Sequence, residues 1–348
     1  MKIGIIGAGG IAKAHAKALS TVKGAELSGF FDINSLASRK CAFEYGGTAF
    51  NSMQELLNQS TAVIVSSPNF CHKEHVLEAM AAGKYVLCEK PMAVSMEEAE
   101  EMKNRASQSA YIPIMGFNYR HLTFVQRLKD MLSGNELGDI LSINVHFKKN
   151  SALRRKKYTW RDHSKSNKTS GALGDLGVHL IDLILYLFDS PFKLDSLKVK
   201  MMTVVKEKEQ KQVYVDDHSE VYGQLENHVF VNMITSKCTK ADECGFSIEV
   251  NGQNGVFYYH SRQKNQFLLR TGLTERMITM PDTWLTDPEN EFYGWADSFR
   301  VQLIQWMNGV RDRNFAPLAT FDDGYKTQFY LNEFFNKGQQ LSLSKQAN

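Results

Sequence analysis

The sequence predicts an α/β protein of two domains. A doubly wound parallel sheet comes first, and an α+β domain with a largely antiparallel open sheet follows. Strand and helix signals alternate through residues 1–120, which implies right-handed βα units and a parallel sheet. From residue 121 strand-like runs follow one another with few helices, and 348 residues are long for a single core. We therefore expect one domain at 1–120 and a second at 121–348.

In the first domain, apolar runs bounded by turn residues predict the strands, and amphipathic segments predict the helices. Ser52 with Glu55, and Ser95 with Glu98, have the spacing of a capping box and mark two helix starts. The expected strands cover about 3–6, 27–31, 62–66, 85–88 and 112–115. The expected helices cover about 12–19, 35–45, a segment from 52, 72–82 and 95–109.

The second domain is expected to contain one central helix at about 172–187 and two closing helices near 293–309 and 322–336. A further helix at about 123–133 precedes them. Short turns such as Glu226-Asn227 join several of the strand-like runs. The runs lie near 140–147, 194–205, 213–225, 228–237, 246–251, 255–260 and 266–270.

Composition excludes several classes of protein. The net charge of +3 is too balanced for a general nucleic-acid binder. No stretch of 18 apolar residues is present, and Met1 leads directly into a strand, so we expect neither a membrane span nor a signal peptide. The five cysteines form no CxxC pair, and no ligand spacing suggests zinc. We expect reduced thiols, a cytoplasmic location and no metal site.

The first strand is followed at once by Gly7-Ala8-Gly9-Gly10-Ile11-Ala12 and then by a helix. In a dinucleotide site the first glycine permits the tight turn, and the second lets the pyrophosphate approach the backbone. The small Ala12 then allows close packing of the helix, whose N-terminus attracts phosphates. Asp32 ends the next strand, 20 residues past Ala12, where an acidic residue binds the adenosine ribose. The alternative is a glycine turn in another α/β protein.

Ligands of such sheets bind at the carboxyl ends of the strands. Polar side chains follow four expected strands there, at Asp32, 67–69, 89–91 and 118–121. No cation lies beside Asp32, and Arg39 and Lys40 fall within the next helix, so we expect NAD rather than NADP. The residues expected to contact the cofactor are Gly7, Ala8, Gly9, Gly10, Ile11, Asp32, Ser67, Pro68, Asn69, His72, Glu89, Lys90 and Asn118.

Several motifs in this order resemble those of the glucose–fructose oxidoreductase/inositol dehydrogenase (Gfo/Idh/MocA) family. They are the glycine turn, Ser67-Pro68-Asn69 with His72, Glu89-Lys90-Pro91, and the segment Gly171–Asp182. The resemblance spans nearly the whole chain. It implies a dinucleotide-binding domain at 1–120 and a substrate-binding and oligomerisation domain at 121–348. It also implies NAD or NADP as the cofactor, and the oxidation or reduction of sugars and cyclitols. The family's catalytic Lys, Asp and His fall on Lys90, Asp175 and His179.

Asp175 and His179 are four residues apart on the expected helix and so would share one face, with Asp182 on the same side. A histidine suits general-base catalysis near neutral pH. Asp175 would bind the sugar or orient the imidazole, and Lys90 would polarise the reacting oxygen or serve as a second base. The alternatives are a core histidine, a salt bridge at Asp182, and a plain turn at Lys90-Pro91.

A narrower resemblance, to the family's sugar-phosphate dehydrogenases of kanosamine biosynthesis, rests on 67–75 and on His146–Asp162. It implies NAD-dependent oxidation of C3 of glucose 6-phosphate, giving 3-oxo-glucose 6-phosphate. Six of the ten residues from Lys148 to Lys157 are cationic. Arginine forks match phosphate oxygens, although a solvated basic loop is the alternative. The expected substrate contacts are Tyr119, Lys149, Arg154, Arg155, Trp160, Asp175 and His179.

Arg120 is either a further contact in the substrate cleft or part of an ion pair at the domain interface. Two rival functions remain open: a cyclitol or unphosphorylated-sugar dehydrogenase of the same family, and a catalytically silent NAD(H)-binding sensor. The expected partner is a small sugar phosphate, with no nucleic acid and no membrane. The resemblance also implies a homo-oligomer, a dimer or a tetramer, formed through an exposed sheet face of the second domain.

Overall fold

The computed structural model describes residues 1–163, 168–289, 291–316 and 318–344. By their contacts these residues form two compact units. Unit 1 comprises Met1–His121, Trp284–Pro288 and Trp295–Gln328, and unit 2 comprises Leu122–Thr283, Glu289–Gly294 and the residues from Phe329 onward. The expected division after residue 120 assigned 284–288 and 295–328 to the second domain, whereas their contacts are with the first. How the chain divides into folding domains stays a proposal.

Short strands and helices alternate at the start of the chain, and strands predominate after residue 190. The strands of the described residues are β1 (Lys2–Ile6), β2 (Glu26–Phe31), β3 (Thr48–Ala49), β4 (Ala62–Val65), β5 (Tyr85–Cys88), β6 (Ile114–Met115), β7 (Ile140–Lys148), β8 (Lys198–Met202), β9 (Glu207–Lys208), β10 (Lys211–Gln212), β11 (His218–Gln224), β12 (Phe230–Ser236), β13 (Gly245–Gly252), β14 (Gly255–His260), β15 (Gln266–Thr271) and β16 (Thr274–Thr279). The α-helices are α1 (Gly10–Leu19), α2 (Ser35–Tyr45), α3 (Met53–Asn58), α4 (His72–Ala81), α5 (Met96–Ser107), α6 (Thr123–Ser133), α7 (Ser151–Arg154), α8 (Val178–Phe188), α9 (Trp295–Asp312) and α10 (Phe321–Ser344).

Unit 1 is built on a parallel sheet whose described strands run in the order β3-β2-β1-β4-β5-β6. This is the order of a doubly wound dinucleotide-binding fold, which reverses direction between β1 and β4. All four residues of β4 are fully buried, as expected of a strand covered by helices on both faces. The predicted α/β class of this unit is confirmed, and the carboxyl ends of its strands meet at one edge.

Unit 2 is built on an open sheet of the described strands β16-β15-β14-β13-β7-β12-β11-β8. Neighbouring strands are antiparallel except β7 and β12, which are parallel. Residues on one face of β7, such as Ile143 and Val145, are fully buried, and those on the other face are partly exposed. The prediction of an α+β unit with a largely antiparallel sheet is confirmed.

The predicted helix starts at Ser52 and Ser95 are confirmed. Each hydroxyl accepts the backbone N–H three residues on, that of Glu55 at 3.2 Å and that of Glu98 at 3.3 Å. The two glutamates reach back to the backbone N–H of the residue before the serine, Asn51 and Val94. The serine bond satisfies a donor that a helix N-terminus leaves open, and the glutamate bond fixes the backbone just before the helix.

Several predicted elements differ from those observed. The strand expected at 194–205 is a 3₁₀ turn, Leu194–Ser196, followed by the shorter β8. The run 213–225 forms a strand only from His218. Just before it, the Asp216 carboxylate accepts the backbone N–H of Leu173, and the Asp217 carboxylate accepts that of Val204. The central helix begins with a π-helical turn, Leu173–Gly177. Sequence analysis missed β3, β9, β10, β16 and α7, most of which are only two to four residues long.

None of the described helices combines the length and the apolar character needed to cross a bilayer. All five cysteines lie in the described residues and are free thiols. Three of them, Cys71, Cys238 and Cys244, are partly exposed, and Cys41 and Cys88 are buried.

Candidate active site

The glycine-rich turn of unit 1 follows β1. Gly7 has φ +100°, a conformation that side chains other than glycine rarely adopt. Its N–H donates to the carbonyl of Phe31 at 2.7 Å. A Cβ at this position would lie 2.8 Å from the backbone of Ser66 and Ser67. Glycine is therefore required here for the turn to pass between the ends of β2 and β4.

Helix α1 presents an open N-terminus beside this turn. Gly9 is its N-cap and makes no side-chain capping bond, and no acidic residue stands in the first turn. A Cβ built on Gly9 or Gly10 would meet no atom within 4 Å. The space in front of the backbone N–H groups is thus free for an anion, and the helix dipole favours one there. These features fit the pyrophosphate of a dinucleotide.

Asp32 lies directly after β2, as predicted. Its Oδ2 accepts the backbone N–H of Ala8 at 2.8 Å, and its Oδ1 accepts that of Asn34 at the same distance. The carboxylate is thereby fixed against the glycine turn, and each oxygen retains capacity to accept a hydroxyl. Arg39 is bonded within its own helix, since its guanidinium donates to the Ser35 hydroxyl and carbonyl.

The loop after β4 carries Ser67, Pro68 and Asn69. The ring of His72, 1% exposed, contacts the carbonyls of Pro91 at 2.9 Å and Ser67 at 3.0 Å. Burial lowers the pKa of His72, although the two carbonyls act in the opposite direction. A neutral ring has one N–H, so it donates to one of the two carbonyls and lies in contact with the other. His72 therefore packs between the loops after β4 and β5. Its contact with the cofactor stays a prediction.

The loop after β5 carries Glu89 and Lys90. Glu89 is buried, and its Oε1 lies 2.7 Å from Nε2 of His15 in α1. Its other oxygen accepts the backbone N–H of Lys90 at 3.3 Å. Lys90 is partly exposed at the edge where the strands end. Asn118, also at this edge, is 2% exposed and donates to the Ser298 hydroxyl at 2.8 Å.

The 3₁₀ turn Asn118–His121 is more buried than its polar sequence suggests. The side chain of Tyr119 is 2% exposed, so its role as a substrate contact stays a prediction. Arg120 lies 3.4 Å from the Asp323 carboxylate, within unit 1. Burial, and secondarily the charge of Arg120, lower the pKa of His121 to about 3.

We expect the free energy of unfolding to fall as the pH drops below about 6.5, where a histidine in an unfolded chain takes up a proton. Folded His121 stays neutral down to about pH 3. The unfolded state therefore binds more protons in this window, and one histidine contributes up to about 1.4 kcal/mol per pH unit. Denaturant titrations at pH 7, 6 and 5 measure the slope. The variant His121→Gln should make the free energy of unfolding depend less steeply on pH. An unchanged slope in this variant would contradict the role given to His121.

In unit 2, Asp175 lies within the π-helical turn that precedes α8, and His179 is the second residue of α8. Such turns insert one residue into the helical repeat and occur frequently at functional sites. The separation of four residues between Asp175 and His179 therefore does not by itself place them on one face, as it would in a regular α-helix. His179 is 6% exposed, whereas the side chain of Asp175 is 39% exposed. Asp182 is buried one turn further on.

Two residues that sequence analysis missed hold this turn. Lys237, at the end of β12, places its ammonium 2.9 Å from Oδ2 of Asp175 and 2.9 Å from the Ser170 carbonyl. Asp216 accepts the backbone N–H of Leu173 at 2.8 Å, and burial raises the pKa of its carboxyl. A side chain at Gly171 would overlap that carboxylate. The acidic pair in Val215-Asp216-Asp217-His218 was the available sequence signal.

Several cations of the basic segment are held in ion pairs. The Lys149 ammonium lies 2.8 Å from Oε1 of Glu291. The guanidinium of Arg155 donates to Asp162 at 2.6 Å, and so does the ammonium of Lys208 at 2.9 Å. Burial alone would raise the pKa of Asp162, but the bonds from Lys208, Thr159 and Arg155 outweigh it and lower the pKa.

Other cations of this region remain at the surface. Arg154 is exposed on α7, and Lys156 and Lys157 follow it in exposed positions. Arg161 packs its guanidinium over the ring of Trp160, 4.3 Å from its centroid. The same guanidinium interacts electrostatically with Asp175. Arg161 is therefore a candidate site residue that sequence analysis overlooked.

Each unit thus assembles part of the predicted site. Unit 1 gathers the glycine turn, Asp32 and the loops that carry Ser67, Glu89 and Lys90 at one edge of its sheet. Unit 2 gathers Asp175, His179 and Lys237 at the start of α8. Unit 1 can hold a dinucleotide by its phosphates and ribose. Unit 2 offers an imidazole and a carboxylate, which suit proton transfer and hydroxyl binding.

Comparison with known proteins agrees with this geometry. Residues 1–117 match the GFO_IDH_MocA oxidoreductase family's NAD-binding Rossmann fold, and residues 129–340 match its C-terminal alpha/beta domain. The chain is 54% identical over 346 residues to the glucose-6-phosphate 3-dehydrogenase of Bacillus subtilis (strain 168), covering 99% of both chains.

Solved structures show the same fold. Levoglucosan dehydrogenase in complex with NADH and levoglucosan has a TM-score of 0.86 at 20% identity, over 98% of this chain and 97% of that one. An inositol dehydrogenase homologue complexed with NAD⁺ from Azotobacter vinelandii has a TM-score of 0.83 at 17% identity, over 98% and 95% of the two chains. The chain therefore belongs to the GFO_IDH_MocA oxidoreductase family, and its N-terminal part is an NAD-binding Rossmann fold.

Proposed function

We propose that this oxidoreductase catalyses the NAD-dependent oxidation of glucose 6-phosphate at C3, giving 3-oxo-glucose 6-phosphate. The observation that carries the proposal is the 54% identity, over 99% of both chains, to an enzyme named for that reaction. The site supports it, because a dinucleotide cradle and a His–Asp–Lys set are what alcohol oxidation requires. The structural relatives near 20% identity show the fold alone.

The oxidation breaks the C3–H bond and the hydroxyl O–H bond. NAD⁺, when bound, accepts the hydride from C3. In this proposal His179 accepts the hydroxyl proton, Asp175 binds a sugar hydroxyl, and Lys90 polarises the reacting oxygen. The ion pair with Lys237 at 2.9 Å holds Asp175 in place.

The phosphate of the substrate is assigned to the basic segment. Arg154 is exposed, and the side chain of Arg155 is one-third exposed although it is bonded to Asp162. Arg161, electrostatically linked to Asp175, joins them as a candidate. Lys149 is engaged by Glu291, so its contact with sugar or phosphate requires that this pair open or be shared.

Substrate preference tests the proposal. The absorbance of reduced nicotinamide reports kcat/KM for glucose 6-phosphate, glucose and myo-inositol with NAD⁺. We expect glucose 6-phosphate to exceed both other sugars by at least about 10²-fold, since each charged hydrogen bond to phosphate contributes about 1.5–3 kcal/mol. A preference for glucose or inositol would instead establish the unphosphorylated-sugar or cyclitol dehydrogenase. Binding of NAD(H) without turnover of any sugar would favour a sensor.

We expect NAD to bind at least about tenfold more tightly than NADP, because the Asp32 carboxylate would repel a 2′-phosphate. Asp32 is fixed by the N–H groups of Ala8 and Asn34, so it cannot easily turn away. Calorimetric titration of both cofactors measures the ratio of their dissociation constants, and Asp32→Asn should bring the two constants closer together. Arg39→Ala is the control, since Arg39 is bonded to Ser35. Equal binding of NAD and NADP by the wild type would contradict the assignment.

The pathway, the cellular location and the quaternary state of the enzyme are also proposals. We propose that its product enters kanosamine-type antibiotic biosynthesis in the cytoplasm and that the enzyme is a dimer or tetramer. The partly exposed face of the sheet in unit 2 supports self-association, because Tyr222 and Phe230 are 42% and 59% exposed there. Sedimentation equilibrium of the wild type and of Phe230→Asp measures this, and a monomeric wild type would contradict it.

A further inference from the structure

His15 and Glu89 form a buried polar pair that the proposed catalytic roles do not use. Nε2 of His15 lies 2.7 Å from Oε1 of Glu89. The histidine side chain is 0% exposed and that of the glutamate is 7% exposed. His15 belongs to α1, and Glu89 directly follows β5. The pair therefore joins the helix of the glycine turn to the loop that carries Lys90.

Packing alone does not account for such a pair. Removing a carboxylate from water is costly, and apolar residues of similar volume often stabilise a fold as well or better. Among the described residues, the His15 ring has a polar partner only at Nε2, since its buried Nδ1 makes no hydrogen bond. A hydrogen bond between Nε2 and a carboxylate oxygen has the ring N–H as its donor and Glu89 as its acceptor. A buried polar pair directly beside Lys90 therefore points to a role at the neighbouring site.

The Glu89 carboxylate is confined on several sides. A Cβ at Gly116 would lie 2.8 Å from Oε1 of Glu89, so the backbone of residue 116 packs directly on the carboxylate. The His15 ring is held edge-on against Phe299, with ring centroids 4.8 Å apart. The second carboxylate oxygen accepts the backbone N–H of Lys90 at 3.3 Å. The residue that this fixed carboxylate orients is thus Lys90.

We propose that His15 and Glu89 are a positioning pair for Lys90. His15 fixes the Glu89 carboxylate, and the carboxylate fixes the backbone from which the Lys90 side chain extends. The inference rests on the role proposed for Lys90 in the oxidation. A small displacement of a reacting group costs a large factor in rate, because the bound geometry must already approach that of the reaction.

Steady-state kinetics of His15→Phe and Glu89→Met test the pair. Both substitutions remove the hydrogen bond, and the first retains a ring against Phe299. We expect each to lower kcat about tenfold and to change KM for NAD⁺ and the sugar less than about twofold. Glu89→Gln retains an acceptor and should stay within about threefold of the wild-type kcat. Lys13→Gln, which removes a surface ion pair from the same helix, is the matched control.

A double-mutant cycle with Lys90→Met separates positioning from a general structural role. If the pair acts through Lys90, then Glu89→Met should change kcat less than about twofold in the Lys90→Met background. A drop of about tenfold that persists in that background would overturn the proposal. So would a selective rise in KM for NAD⁺ in Glu89→Met alone, because that would indicate that Glu89 acts through the direct cofactor contact expected from the sequence and not through Lys90.

A measurement that does not depend on turnover distinguishes failure of this proposal from failure of the proposed function. Lysine acetylation followed by mass spectrometry reports the labelling rate of Lys90 relative to Lys103 in the same sample. We expect His15→Phe and Glu89→Met to change this ratio by at least about threefold, and Lys13→Gln to leave it unchanged. An unchanged ratio in both pair variants overturns the positioning role. A changed ratio with no sugar oxidised by the wild type supports the pair while the proposed oxidation fails.

Discussion

Lys90→Ala and His179→Ala are each expected to lower kcat for glucose 6-phosphate by about 10² or more, the scale of a lost acid–base group. His179 is 6% exposed on the first turn of α8, and Lys90 lies in the loop after β5. Stopped-flow measurement of the first turnover separates the chemical step from product release.

Binding of the cofactor provides the control for this prediction. His179→Ala should leave the dissociation constant for NAD⁺ unchanged within about twofold, because His179 belongs to unit 2 and the glycine turn to unit 1. His179→Ala that turns over at a near wild-type rate would remove His179 from the chemistry. In that case the buried ring would be a core histidine.

Arg154→Ala and Arg155→Ala are each expected to lower kcat/KM for glucose 6-phosphate by about 10- to 150-fold and to leave kcat/KM for glucose unchanged. The range corresponds to the loss of one charged hydrogen bond of about 1.5–3 kcal/mol. A phosphomonoester carries close to two negative charges at neutral pH, so two arginines suit it. The ratio of the two kcat/KM values is the measured quantity.

Lys208→Met is the matched control for Arg155→Ala. Both cations bond to the same oxygen of Asp162, but the side chain of Lys208 is only 4% exposed and that of Arg155 is 33% exposed. If Arg155 only supports Asp162, the two substitutions should have the same effect on both sugars. If Arg155 binds phosphate, only Arg155→Ala lowers the preference for glucose 6-phosphate over glucose. Arg161→Ala then shows whether the arginine on Trp160 contributes as well.

Most of unit 1 could be predicted from local sequence signals. The glycine turn, Asp32 and the two capping boxes depend on neighbouring residues and on backbone hydrogen bonds, which spacing in the sequence predicts well. β3 escaped prediction because two residues give no periodic signal. β16 pairs with the adjacent β15, but almost all of its residues are exposed, so it lacks the apolar alternation that predicts a strand. The acidic pair at 216–217 was predicted to lie within a strand, although its carboxylates bond to backbone N–H groups of the π-helical turn and of the loop after β8.

The candidate site was harder to predict than the fold. Residue type identified Lys90, Asp175 and His179, but not Lys237, which lies 62 positions from Asp175 in the sequence and 2.9 Å from it in space. The cation count between 148 and 157 indicated phosphate, yet it did not reveal that Lys149 and Arg155 have carboxylate partners. Such long-range ion pairs become visible only in the folded chain.

Transfer of an isotope from C3 tests the central claim most directly. The enzyme is incubated with NAD⁺ and glucose 6-phosphate deuterated at C3, and the reduced cofactor is analysed by mass spectrometry. The account predicts reduced cofactor that carries the deuterium, and an oxidised sugar phosphate that has lost it. Unlabelled reduced cofactor, with the deuterium retained in the sugar, would show that another carbon is oxidised and would contradict the account.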